Sequence, residues 1–138
     1  MPARDVFHNT VRVALEKDGW AITHDPLFTK VEEFEFYIDL GAERILGAEK
    51  AGQKIAVEIK SFLGPSEITE LYSALGKFSI YESALIEQES DRILYLAVSK
   101  TIYDDLFATR FIQKVLKKDE VKILIFDEIK EEVLLWKE

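Results

Sequence analysis

The feature that most constrains this chain is a change of hydrophobic period across Gly64-Pro65-Ser66. Before it, Lys54 to Phe62 alternates, with Ile55, Val57 and Ile59 on one face and Ala56, Glu58 and Lys60 on the other, as a strand requires. After it, Ile68, Leu71, Leu75, Phe78 and Leu85 recur at the period of a helix. A strand that feeds a long helix predicts a sheet covered by that helix. Ile93 to Val98, apolar throughout, predicts the next strand, buried on both faces and parallel to the first.

The same signals place the remaining elements. Val6, Phe7, Val11, Ala14 and Leu15 have helical spacing, Asp5 can cap the start, and Gly19 stands where a left-handed C-terminal residue is wanted. Trp20 to His24 reads as a short strand ended by Asp25-Pro26. Glu33 to Leu40 alternates strictly, with Phe34, Phe36, Ile38 and Leu40 on one face and Asp39 pointing away from that stripe. Ile45 to Lys50 and Lys54 to Phe62 read as hairpin arms around Ala51-Gly52-Gln53. A third helix is expected with Thr101 and Asp104 as its capping box, and Val121 to Phe126 and Val133 to Trp136 close the sheet. The expectation is one α/β domain over residues 1–138, a mixed sheet flanked by helices. No repeat or Pro/Gly/Ser linker divides it.

Composition narrows the function classes. At 138 residues the chain has room for a single core. It has no Cys, which removes disulfides, cysteine-bound zinc, iron–sulfur clusters and thiol nucleophiles and suits a reducing, cytoplasmic compartment. No apolar stretch approaches the length of a membrane span, and no targeting segment is evident, so a soluble protein is expected. Lys and Arg number 18 against 26 Asp and Glu, a net charge of −8. That balance argues against coating nucleic acid by bulk attraction and suits carboxylates gathered around a hard cation.

The chemistry concentrates at Ile38-Asp39 followed by Ala56-Val57-Glu58-Ile59-Lys60. Glu58 and Lys60 share one face of a strand, where charges beside an apolar surface need partners. Asp39, Glu58 and the Ile59 backbone carbonyl could hold Mg²⁺ or Mn²⁺ against a phosphate, with Lys60 orienting water or offsetting developing charge. Random placement alone yields about one or two Glu-x-Lys triplets in such a chain. The second, Glu128-Ile129-Lys130, lies in an acidic segment that reads as a solvated turn. A structural ion pair and a metal site both fit the Glu58 copy.

Asp39 followed by Glu58-x-Lys60 on a hairpin arm between helices resembles the PD-(D/E)XK nuclease superfamily. That resemblance implies a restriction-endonuclease-like α-β-β-β-α-β core, here with a further C-terminal α-β-β, and Asp39, Glu58 and Lys60 in catalytic roles. The whole sequence resembles the XisH family of fdxN-element excision controlling factors through Pro2-Ala3-Arg4-Asp5, Asp18-Gly19-Trp20, Thr23-His24-Asp25-Pro26-Leu27, Ile38-Asp39-Leu40-Gly41-Ala42-Glu43, Lys54 to Phe62 and Ile93 to Val98. This implies an accessory role in programmed excision of a DNA element, beside a site-specific recombinase and a companion factor of the XisI family. It does not by itself imply cleavage. A regulator on a nuclease-like scaffold, binding a companion or the recombinase, is the alternative.

RecB-type nucleases carry Gln and Tyr four apart on the helix after Glu-x-Lys. Here the corresponding pair is Lys77 and Tyr81, and a Lys cannot supply the amide oxygen. A surface Lys and a packing Tyr fit those positions equally. His8 and His24 are read as structural. Arg110, Lys114, Lys117 and Lys118 share one side of the third helix, a basic stripe that could touch DNA or simply offset the helix dipole. Glu16, Glu43 and Glu49 are spare carboxylates, any of which could complete a metal shell or simply face solvent, and a homodimer is compatible with all of this.

Overall fold

The structure, a computed structural model, describes residues 4–44 and 52–138. Helix α1 (His8–Lys17) is followed by β1 (Ala21–His24), β2 (Leu27–Val31), β3 (Phe34–Ile38), β4 (Leu40–Arg44) and β5 (Gln53–Ile59). Helix α2 (Glu67–Gln88) leads to β6 (Arg92–Ser99), then α3 (Lys100–Ile102), which runs into a π-helical turn (Tyr103–Phe107), then α4 (Arg110–Lys118), β7 (Ile123–Asp127) and β8 (Glu132–Lys137). Six strands make one mixed sheet in the order β1-β4-β5-β6-β7-β8, with β5, β6 and β7 parallel and the outer pairs antiparallel. The mixed sheet flanked by helices is the architecture the periodicities predict.

Its two faces bury two apolar clusters. Val11 and Leu15 of α1 pack on Leu40, Ala42, Val57, Ile59, Ala97 and Phe126. Leu71, Phe78 and Leu85 of α2 and Ile112 and Leu116 of α4 pack on Ala56, Leu94, Leu96, Ile123 and Ile125. The alternation along β5 therefore divides its residues between the layers, which fixes the register: a slip of one residue would exchange the faces. Ser66 caps α2 by accepting from the Thr69 amide, a contact worth about 1 kcal/mol.

Four expectations change. Helix α1 starts at His8, and Val6 lies exposed before it; Asp5 instead accepts from the Phe7 amide. The alternating run Glu33 to Leu40 is not one strand: β3 leaves the main sheet to pair with β2, and Asp39 is the bend between β3 and β4. Ile38 and Leu40 consequently face different layers. The strand opposite β5 is Leu40–Arg44, while the expected arm Ile45 to Lys50 and the Ala51 of its turn lie outside the described residues. Finally, Ser99 rather than Thr101 caps the third helix, Asp104 pairs with Lys100, and the helix breaks at Ala108 and Thr109.

Candidate functional site

The chain leaves the main sheet at Asp25-Pro26, between β1 and β2, and returns at Asp39, between β3 and β4. The register pairs Leu27 with Ile38, so both bends fall at the same end of the sheet. There β4 stops pairing with β5 at Leu40 opposite Val57, and Asp39 continues the ladder with its side chain. The Ile59 amide donates to Asp39 Oδ2 at 2.7 Å, and the Asp39 amide donates to Glu58 Oε1 at 3.4 Å. A charge-assisted bond of the first kind contributes about 1.5–3 kcal/mol.

Two carboxyls thus meet where one strand ends. Glu58 is only 7% exposed. Burial, then the neighbouring Asp39 charge, pushes its carboxyl up to about 8 from an ordinary 4.5, with the Lys77 ammonium opposing the rise. Burial also raises Asp39, although the Ile59 amide and the Glu58 proton favour its ionised form. Both carboxyls are thus pushed toward their protonated forms, Glu58 by burial and by Asp39, and Asp39 by burial. Tyr81 is pushed up to about 12 by burial and by the same two carboxyls, so its phenol stays protonated; its ring packs against Phe36, with centroids 6.0 Å apart.

Lys60 emerges on the face of Glu58, as the alternation predicts, but its carboxylate partner is elsewhere. Lys60 Nζ lies 3.6 Å from Glu70 Oε1 in the first turn of α2. Glu70 Oε2 also accepts from the Gly64 amide at 2.7 Å. A Cβ at position 64 would stand 2.9 Å from that carboxylate, so glycine is what lets it approach. The cation that acts on Glu58 is Lys77.

Lys77 and Tyr81 accordingly share the face of α2 turned toward Asp39 and Glu58. Arg110, Lys114, Lys117 and Lys118 are all exposed along α4. Lys117 borders a cavity of about 640 Å³ that also includes Tyr103, Gln113, Lys122 and Lys137. Neither this cavity nor the one beside Trp20 and Trp136 nor the one between Phe36 and Ser79 borders Asp39 or Glu58. Glu16 is exposed, Glu43 lies 3.8 Å from Arg92, and Glu49 is outside the described residues. Glu128-Ile129-Lys130 forms the β7–β8 turn, as expected.

The sequence reading missed two features beside the couple. One is Glu70, whose signal was an acid in the first turn of a helix starting just after Lys60. The other is a charged cluster on Asp25, which accepts from Arg12 Nη1 at 2.6 Å and pairs with His8 Nε2 at 2.8 Å and Arg4 Nη2 at 3.4 Å. Burial would raise Asp25, but the Arg12 and His8 hydrogen bonds hold it low. The spacing of positions 4, 8 and 12 was its signal.

A sequence model of the XisH protein family matches residues 1–134. The chain belongs to the XisH family. A crystal structure of an XisH family protein from Nostoc punctiforme PCC 73102 is 43% identical, covering 97% of this chain and 100% of that one, with a TM-score of 0.89. That of an fdxN element excision controlling factor protein from Anabaena variabilis is also 43% identical, covers 98% and 100%, and has a TM-score of 0.87. No curated protein matches the chain. Among the described residues of this XisH protein, no helix is long and apolar enough to cross a membrane.

Two carboxyls side by side are a fitting donor set for a hard divalent cation, which would favour their ionised forms. Among the described residues no third His, Asp or Glu joins them in a ligand cage, so water and substrate oxygens would complete the shell.

Proposed function

We propose that this XisH protein serves the excision of a DNA element and that Asp39, Glu58 and Lys60 form a phosphodiesterase-type site. The observation that supports this is the meeting of two carboxyls at a strand end, both raised by burial and Glu58 also by the Asp39 charge, an arrangement that costs stability and that a cation would relieve. Asp39, Glu58 and the Ile59 carbonyl are the proposed ligands of Mg²⁺ or Mn²⁺, which would supply charge neutralisation for a bound phosphate and activation of water. Lys60, swung from Glu70, would balance charge on the phosphate, and Lys77 would hold Glu58 ionised. Tyr81, its phenol protonated, would donate a hydrogen bond to a substrate oxygen or to Glu58. The exposed stripe Arg110, Lys114, Lys117 and Lys118 is a proposed DNA contact, and companion binding to an XisI-family factor and to the recombinase places the protein on its substrate.

A second reading has its own observation. Glu58 is sealed and Lys60 is occupied by Glu70, which favours a regulator whose site is structural and whose work is to bind those companions. Two measurements separate the readings. Under the first, millimolar Mg²⁺ or Mn²⁺ raises the Tm, Asp39→Asn abolishes most of that gain, and Lys60→Ala lowers cleavage of labelled DNA at least tenfold. Under the second, the melting curve ignores metal and the DNA stays whole.

A further inference from the structure

We infer that Arg4 and Arg12, gathered by Asp25, are a clamp for the nucleic-acid backbone beside the phosphate presented to Asp39, Glu58 and Lys60. The inference rests on the phosphodiester reading for its substrate class, but its geometry is separate. Arg4, just before α1, and His8 and Arg12 on α1 all direct a nitrogen to one carboxylate. That carboxylate sits at the bend where the chain leaves the main sheet, beside the bend that carries Asp39. A second tie fixes the distance to Lys60: Asp5 Oδ2 accepts from the Ser61 amide at 3.0 Å, so Arg4 stands next to a residue bonded one position from Lys60.

The Arg4 arm of the cluster is poorly explained as a stability device. Arg4 is 63% exposed and 3.4 Å from Asp25, the kind of ion pair that contributes little to folding. Each guanidinium carries five donors and spends one nitrogen on Asp25, leaving most of the fork open to a phosphate. His8 is buried, and its Nδ1 has no hydrogen-bond partner, an unfilled polar position in the same cluster. The need for such a clamp follows from charge. Asp39 and Glu58 repel a polyanion, Lys60 is held by Glu70, and the whole chain carries −8. Lys77 approaches from α2, and Arg4 and Arg12 approach from α1 and the segment just before it, so cations would flank the couple on two sides.

The test uses a fluorescein-labelled DNA duplex and the full chain in EDTA, where no metal-dependent step runs. Arg4→Gln combined with Arg12→Gln should weaken binding roughly tenfold or more and reduce the slope of log affinity against log salt by about two. Arg4→Gln alone should shift affinity and slope by about half as much, with an unchanged Tm, which keeps the result readable if the double variant is unstable. Lys114→Gln with Lys118→Gln on α4 is the comparison. Wild-type affinity and slope in the Arg4 and Arg12 variants overturn the clamp, as does a wild type that does not bind the duplex at low salt. Failure of the metal reading shows elsewhere, in a melting curve unmoved by Mg²⁺ and Mn²⁺, and leaves an Arg-dependent affinity standing.

Discussion

A buried charged group lies near each end of strand β5, and the two are built oppositely. At its start, Arg92 of the neighbouring β6 is 5% exposed and satisfied throughout. It donates to the Ile55 carbonyl at 2.9 Å, makes two bonds to Glu89 and faces Glu43 at 3.8 Å. Gly41 makes room, since a Cβ there would come within 3.3 Å of Arg92 Nη1. At its finish, Asp39 and Glu58 set two carboxyls together, and the ammonium of Lys60, just past the strand, is turned to Glu70. The Arg92 end meets the rule that buried charge be paired; the Glu58 end breaks it, and such departures collect where a protein does chemistry.

The largest effect should come from breaking the satisfied end. Arg92→Ala strips a donor from the Ile55 carbonyl, opens a cavity and leaves Glu43 and Glu89 without their cation, and should lower unfolding stability in urea by about 3 kcal/mol. A loss below about 1 kcal/mol would mean the network is ornamental.

The unsatisfied end should respond in the other direction, and with pH. Unfolded, Glu58 releases its proton near 4.5; folded, it does so at about 8. Between those values the folded state holds the extra proton, so stability falls as pH rises through that window. Glu58→Gln should flatten that slope and raise stability at pH 8 by on the order of 1–3 kcal/mol. Parallel pH profiles in the two proteins would show that the couple carries no strain.

The smallest effect concerns the tie between Lys60 and the first turn of α2. Glu70→Gln keeps an oxygen for the Gly64 amide and removes the charge facing Lys60, costing under about 1 kcal/mol. If the phosphodiesterase reading holds, it should also raise DNA affinity, because Lys60 is released. Unaltered affinity beside an altered Lys60→Ala would place Lys60's action outside phosphate contact.

Much of this was legible before any coordinates. The alternation along β5 gave the shared face of Glu58 and Lys60, and the shift to helical period at Ser66 gave α2 and the parallel step to β6. The Asp39 bend was hidden because an alternating pattern reads the same whether a strand continues in its sheet or crosses into another, provided both sides are buried. Ile38 and Leu40 are both fully buried, one in each layer. Lys60's engagement with Glu70 was hidden for a different reason. Side-chain pairing across a strand–helix junction depends on the course of Phe62 and Gly64, and Phe62 takes a positive φ of 57° that no pattern announces. The cluster on Asp25 was visible as spacing, but its carboxylate comes from a turn whose direction only the β2–β3 ribbon sets.

That ribbon makes length a free variable at one place in the molecule. Leu27 and Ile38 anchor its base in the core, while Glu32 and Glu33 at its tip are exposed and touch no other element through hydrogen bonds or ion pairs among the described residues. Residues added or removed there in matched pairs, one on each strand, would preserve which side chains face α2 and leave the positions of Asp25 and Asp39 untouched. Descendants of this fold can therefore remodel a protruding finger beside the site without renegotiating the site itself.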